Sequence, residues 1–226
     1  YHPSNAYFFL DGEIDLDTVL GRINEVLQEY DAREMGIEIT KQKILPGEQK
    51  TISYEISPDE EPEERTMITL GNIIAGYEDI EKIMAWSVLS GVLAGNNGTK
   101  LKKAIIDGGL GQDVEVVLMD EGIQPYVVLN VRNTDPEKKD EVLSVLHRVL
   151  RELCEEGLDQ EEIKSQINAM EFRYHEPKEP SGVIYADSIM HSWLYGGDPI
   201  QYISIGEIFD KLREDASQGY FEELLR

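Results

Sequence analysis

The residue types that most often bind zinc or act as nucleophiles, histidine and cysteine, occur at five positions of the 226-residue sequence. These positions are His2, His147, Cys154, His175 and His191. A zinc site on a helix needs two histidines one turn apart with a glutamate between them, because only that spacing directs both imidazoles at one ion. No two histidines have this spacing, and His175 and His191 are sixteen residues apart. The sequence therefore predicts no catalytic residue and no metal ligand in this chain, and it leaves the substrate-binding residues unknown.

Two other patterns resemble sites but have a simpler structural explanation. Glu171 and His175 lie one helical turn apart, a spacing that is typical of a surface ion pair. Gly108, Gly109 and Gly111 suggest a phosphate-binding loop, but such a loop follows a strand and opens a helix. Here a helical pattern precedes the glycines and a strand pattern follows them. We therefore expect a tight helix-to-strand turn.

The cysteine and the tryptophans are expected to be structural. Cys154 lies near Leu150 and Leu153 in a helical pattern, which indicates a small, partly buried side chain rather than a catalytic thiol. A single cysteine excludes an internal disulfide framework and suits a reducing compartment. Trp86 and Trp193 stand among aliphatic residues on predicted helices, so we expect them to anchor a core or an interface.

The charge balance narrows the classes of partner. The chain has 45 acidic and 21 basic residues, which gives a formal net charge of −24. Such a surface repels phosphate groups, so we expect neither nucleic-acid nor membrane partners, whereas cationic peptides would be attracted. No run approaches the roughly 18 apolar residues that a membrane span needs. Because the sequence begins at Tyr1 without a secretion signal, we expect an interior piece of a longer cytoplasmic protein.

Hydrophobic periodicity predicts both strands and helices. Period-two alternation between turn residues predicts strands at 5–10, 51–56, 67–75, 114–119 and 126–132. The 3.6-residue period predicts helices at 16–30, 80–93, 134–157, 159–176, 184–194 and 203–226, with a short helix beginning at residue 99.

The order of these elements predicts an α+β fold. After the first strand and helix, strands come in adjacent pairs, which favours an antiparallel or mixed sheet with helices packed on one face. One strand and one helix cannot bury themselves, so residues 1–31 are predicted to complete a preceding domain. Residues 32–50 lose the period and contain Pro46 and Gly47, which indicates a linker. Residues 51–226 are predicted to form a second domain.

Four segments carry a resemblance to a known family. They are YHPSNAY at 1–7, LKKAIIDGGLG at 101–111, EFR at 171–173 and WLYGGDP at 193–199. In this order they resemble the end of the first domain, the Gly-Leu-Gly turn and the long helices of the presequence-protease branch of the pitrilysin/insulinase family. Together they span nearly the whole chain. None of them carries chemistry, so their order and spacing carry the resemblance.

The resemblance implies a mitochondrial-processing-peptidase-like metallohydrolase fold and a parent zinc metalloendopeptidase that degrades unfolded peptides in an enclosed chamber. In that family the zinc motif lies in the first domain, upstream of anything present here. Zinc would therefore belong to the parent protein, and this chain alone would be inactive. Residues 51–226 would form most of the non-catalytic second domain without its closing strand, making chamber wall and supporting the catalytic domain.

The same resemblance implies the partners. They would be the catalytic domain and the C-terminal half of the same polypeptide, together with a peptide substrate. An alternative is a structural or interaction subunit of the same fold without peptidase activity. An inverted zinc motif upstream of Tyr1 would indicate the peptidase, and its absence would indicate the scaffold. A stand-alone peptide-binding module is a third reading.

Overall fold

A three-stranded antiparallel sheet forms the centre of the chain. The computed structural model describes residues 2–36, 38–45, 47–177 and 179–226. Strands β1 (Thr66–Ile73), β2 (Asp113–Met119) and β3 (Tyr126–Thr134) lie in the order β1-β3-β2. Both neighbouring pairs are antiparallel. The α+β class and the antiparallel sheet predicted from the sequence are thus confirmed.

Eight α-helices lie in the described residues. They are α1 (Leu16–Leu27), α2 (Ile80–Ala94), α3 (Lys100–Ile106), α4 (Lys139–Glu156), α5 (Gln160–His175), α6 (Ser181–Trp193), α7 (Gly206–Ala216) and α8 (Tyr220–Leu225). Several begin at the capping residues that the sequence suggests. The Asp159 carboxylate accepts hydrogen bonds from two backbone N–H groups of the first turn of α5, which satisfies donors that the helix leaves free.

The sheet has one covered and one open face. Along β3, the side chains of Val127, Leu129 and Val131 are buried at every second position. Their partners across the ladder include Ile68 on β1 and Val114 on β2, which are also buried. All of them except Val127 share a cluster with side chains of α2, α3 and α4. Val127 belongs to a second cluster, which also contains side chains of α2. The helices therefore pack on one face of the sheet, as predicted.

A second cluster extends the core away from the sheet. It joins α2, α5, α7 and α8 through fully buried side chains such as Leu89, Ile163, Phe209 and Phe221. Val116 on β2 packs against both clusters, so the two are continuous. The long helices at the C-terminal end are therefore part of the same hydrophobic core as the sheet.

The start of α4 differs from the sequence prediction. At the start of the helix predicted at 134–157, Asp135 has the residue type of an N-cap and Pro136 that of a first helical residue, but Pro136–Lys138 form a 3₁₀ turn and α4 begins after it. The Asp135 side chain makes no capping bond and instead accepts a hydrogen bond from the backbone N–H of Glu64 at 2.8 Å. A long-range contact has replaced the local cap. The other end of α4 is as predicted, at Gly157.

Three further predictions are wrong. Residues 5–10 and 51–56 are not strands, because neither segment has a ladder partner in the part of the chain that the structure describes. The predicted helix at 203–226 is two helices, α7 and α8, separated at Gly219, whose φ of 80° is left-handed. The division into residues 1–31, 32–50 and 51–226 stays a prediction. Helix α1 buries none of its residues in this chain.

Candidate functional site: the open face of the sheet

The histidines of the chain lie apart from one another. His147 and His175 are exposed on α4 and α5. The Nδ1 atom of His2 accepts a hydrogen bond from the backbone N–H of Ser4, and the His191 ring packs against Tyr202. Across the described ranges, no three or more His, Cys, Asp or Glu side chains form a group that could hold a metal ion. The residues described here therefore do not fit a zinc ion.

The predicted ion pair between Glu171 and His175 is wrong. The Glu171 carboxylate instead accepts a hydrogen bond from the Arg213 guanidinium on α7. Arg213 also donates to the Asn168 side chain at 3.0 Å. The hydrogen bond to Glu171 raises the pKa of the Arg213 guanidinium above its usual value. An arginine on a neighbouring helix offers several donors and a permanent charge, so it competes successfully with a histidine on the same helix. The contact fastens α5 to α7.

Gly108, Gly109 and Gly111 lie in a tight turn between α3 and β2, as the sequence predicts. The backbone N–H of Leu110 donates to Ile105 at 3.0 Å, and Gly109 has a φ of 65°. A Cβ atom added at Gly111 would lie 2.7 Å from the Cγ1 atom of Val131. Gly111 is thus required because the turn presses directly against β3.

The cysteine and the tryptophans also have structural surroundings. Cys154 is partly buried, and burial raises the pKa of its thiol, which opposes the thiolate that a nucleophile needs. Trp86 is only 7% exposed and belongs to the core. Trp193 is partly buried and packs edge to face against Tyr7, with 4.8 Å between the ring centroids. It anchors the N-terminal segment to α6.

The open face of the sheet carries an apolar surface. Val117, Met119 and Tyr126 point away from the helices, and each is about two-fifths exposed, at 39%, 39% and 40%. Val128 lies across from Val117 in the ladder, and Ile73 lies across from Tyr126. These five residues form what we call the apolar patch. No helix covers the patch among the residues that the structure describes.

Polar pairs border the apolar patch on the same face. Thr69 donates to Asn130 at 2.8 Å, and Arg132 forms an ion pair with Glu115 at 2.7 Å. These pairs satisfy one another across neighbouring strands, so they fix the ladder register without filling the space above it. The face thus combines an exposed apolar centre with a polar border at the far ends of β2 and β3.

The end of the sheet next to the patch is held by the WLYGGDP segment. The Tyr195 hydroxyl donates to the backbone oxygen of Glu121 in the β2–β3 turn at 3.0 Å. The Tyr77 hydroxyl in turn donates to the backbone oxygen of Tyr195 at 3.0 Å. A Cβ atom at Gly197 would lie 2.2 Å from the Ser192 hydroxyl, so this position has no room for a side chain. The segment therefore has a structural role that explains its residue types.

The patch was missed by the sequence analysis, although a signal for it exists. In a sheet with one solvated face, apolar and polar residues alternate. Residues 116–119 and 126–129 are instead unbroken runs of apolar or aromatic side chains. Such runs indicate strands with apolar side chains on both faces. The apolar side chains on one face pack against the helices. Those on the other face form the apolar patch.

Comparison with known proteins identifies relatives for most of the chain. Residues 1–170 match the family model described as Peptidase M16 inactive domain. Protein HypA of Clostridium perfringens is 33% identical over 230 residues, covering 100% of this chain and 24% of that protein. The mitochondrial presequence protease of Xenopus laevis is 25% identical over 227 residues, covering 95% of this chain and 21% of that protein. The chain therefore spans about a quarter or less of the length of these relatives.

Solved structures support the fold. The crystal structure of a putative zinc protease from Bordetella pertussis Tohama I matches with a TM-score of 0.53 and 14% identity, covering 70% of this chain and 84% of that one. The inactive peptidase domain of a putative zinc protease from Bordetella parapertussis matches with a TM-score of 0.53, 14% identity and coverages of 70% and 81%.

In the described part of the chain, no helix is long and apolar enough to cross a bilayer.

Proposed function

Because the chain belongs to the M16 peptidase inactive-domain family, we propose that it is a non-catalytic wall of the peptide-degrading chamber in a zinc-dependent metalloendopeptidase. The observation that carries this proposal is the two-sided sheet. Helices cover one face of the sheet, and the apolar patch is exposed on the other face, where it can contact a peptide or another domain. Exposed apolar surface of this kind typically marks a site of contact with a peptide or protein.

The catalytic zinc would be held elsewhere in the longer protein. The described residues of this chain do not fit a zinc ion, and the presequence proteases that it resembles are four to five times longer than the matched region. The residues of this chain would bind and confine the peptide. The apolar patch supplies contacts to side chains of any sequence, as an unfolded substrate requires.

Charge supports a preference for cationic peptides. The formal net charge of −24 attracts them to the chain as a whole. Asp120 and Glu121 follow β2 directly at the edge of the patch. Charge thus supports a cationic peptide as one partner, and the family resemblance supports the other two proposed partners, the catalytic domain and the C-terminal half of the same polypeptide. The cytoplasmic location suggested by the single cysteine stays a prediction.

A pair of matched substitutions in the full-length protein tests the role of the patch. Val117→Arg places a positive charge on the patch, and Val183→Arg places the same charge on α6, where Val183 is 65% exposed. We expect the first variant to raise KM for an unfolded cationic peptide about tenfold, because apolar contact is lost and repulsion is added, which together are worth about 1.4 kcal/mol. The second variant should change KM less than about twofold. Both should melt at the temperature of the unmodified protein.

Steady-state kinetics separate the possibilities. Equal KM values for the two variants would show that the patch does not contact substrate. Absence of hydrolysis by the unmodified full-length protein would instead favour the alternative, a structural or interaction subunit of the same fold.

A further inference from the structure

A groove lies along the free edge of the sheet. Its volume is about 850 Å³, and residues 48–56 line one side of it while β1 lines the other. Ile68, Leu70 and Leu143 contribute apolar side chains to its lining. Among the described residues, β1 has a ladder partner on only one side, which is β3. The other edge of β1 therefore presents unpaired backbone groups next to an apolar groove.

The segment across the groove has the sequence of a strand. We call residues 50–56 the strap. Within it, Ile52, Tyr54 and Ile56 alternate with polar side chains, the pattern of a strand with one buried face. In the structure the strap forms no ladder, and Ile52 and Tyr54 are 73% and 54% exposed. The strap thus displays apolar side chains that have no core to enter, beside a groove that has room for them.

Both ends of the strap are already tied to the body of the protein. At one end, the Glu60 backbone N–H donates to the Ser57 oxygen at 3.0 Å, and the Glu60 carboxylate pairs with Arg65 at 3.2 Å. These contacts close the loop that joins the strap to β1. At the other end, Lys139 on α4 donates to the Gln49 side chain at 2.9 Å. Between these tethers, the Tyr54 hydroxyl donates to the backbone oxygen of Arg65. For the strap to reach β1, the residues between the tethers must move and this hydrogen bond must be exchanged.

Because side chains alternate between the two faces of a strand, only some registers of the strap against β1 direct its apolar side chains into the groove. Ile68 and Leu70 point to the helix-covered face of the sheet, since their partners on β3 are buried there. Directly opposed residues of neighbouring strands point to the same face. A register that places Tyr54 opposite Ile68 therefore directs the side chains of Ile52 and Tyr54 into the groove. A register in which the strap is shifted by two residues along β1 does the same. A shift by one residue would bury Ser53 and leave the apolar side chains in water.

We propose that the strap closes onto the free edge of β1 as a fourth, antiparallel strand, with Ile52 and Tyr54 filling the groove. The closed form pairs the backbone groups of the β1 edge and buries the exposed side chains of the strap. The open form leaves that edge available to another extended chain. The strap is thus a built-in competitor for strand addition at β1, a property that goes beyond the proposed role as chamber wall.

Amide hydrogen exchange on the 226-residue chain tests this device. We expect every second amide of residues 51–56, the set that faces β1, to exchange at least about tenfold more slowly than in an unstructured peptide, because an edge strand pairs only the backbone groups on its inner side. Ile52→Asp should abolish this protection, since it places a charge in the groove. Ser53→Asp is the matched control and should keep the protection, because its side chain points away from the groove in the permitted registers.

Protection of the β3 amides reports on the rest of the fold. We expect it to be unchanged in both variants, because the strap opens without disturbing the sheet. Exchange of residues 51–56 at unstructured rates in the unmodified chain would overturn the proposal. So would equal losses of protection in Ile52→Asp and Ser53→Asp, or a loss of β3 protection in Ile52→Asp.

Discussion

Replacing Phe209 with alanine is expected to lower the free energy of unfolding by about 3–5 kcal/mol. Phe209 on α7 is fully buried in the second cluster, where its ring lies 5.6 Å from that of Tyr174 on α5. Truncation removes apolar contacts from several helices at once and leaves a cavity that the surrounding helices fill only in part. The loss would be a large fraction of the 5–15 kcal/mol that stabilises a typical domain.

The chain supplies a matched control for this prediction. Phe172 on α5 is 68% exposed, so Phe172→Ala is expected to change the free energy of unfolding by no more than about 0.5 kcal/mol. Urea unfolding of the two variants measures both values. Similar losses in the two variants would mean that α7 does not pack as described, and that the C-terminal helices are not part of the core.

Replacing Gly157 with alanine is expected to lower the free energy of unfolding by about 1–3 kcal/mol. Gly157 ends α4 with a φ of 90° and a ψ of 155°, a conformation that only glycine adopts without strain. Space is not the problem, because the nearest atom to an added Cβ lies 3.8 Å away, on Glu222. The cost would therefore come from the backbone conformation alone.

Replacing Gly206 with alanine should raise the free energy of unfolding, in contrast to the same replacement at Gly157. Gly206 opens α7, its φ is not in the left-handed region, and an added Cβ meets no atom within 4 Å. Gly206→Ala is expected to stabilise the chain by about 0.4–1 kcal/mol, because it restricts the unfolded chain at no cost to the folded one. Thermal unfolding measures both effects: the melting temperature should fall in Gly157→Ala and rise in Gly206→Ala. A stabilised Gly157→Ala would contradict the assigned end of α4.

The strands and helices that bury their own side chains were predictable from sequence. The periods at 80–93, 114–119 and 126–132 arise from burial within this chain, and the structure has elements at these positions. The segments at 5–10 and 51–56 have the residue types of strands, but a strand also needs a partner edge. Periodicity reports which side chains favour burial and does not report whether a segment is paired with a neighbouring strand.

The interactions of particular side chains were less predictable for a similar reason. Glu171 has a suitable neighbour on its own helix, but Arg213, which lies 42 residues away in sequence, binds it instead. Asp135 has the type and position of a cap, yet it binds Glu64, 71 residues away. Local spacing cannot rank such competitors. The apolar patch needed the ladder register, because only the register shows which apolar residues share the uncovered face.

Calorimetric titration of the 226-residue chain with zinc tests whether the chain holds a metal centre of its own. We expect that no single site binds zinc with a Kd below about 1 μM, because the histidines of the described residues do not converge and the carboxylates form no metal-binding group with them. One zinc ion bound tightly per chain would contradict this expectation. The chain would then hold a metal centre of its own instead of serving a catalytic domain elsewhere in the polypeptide.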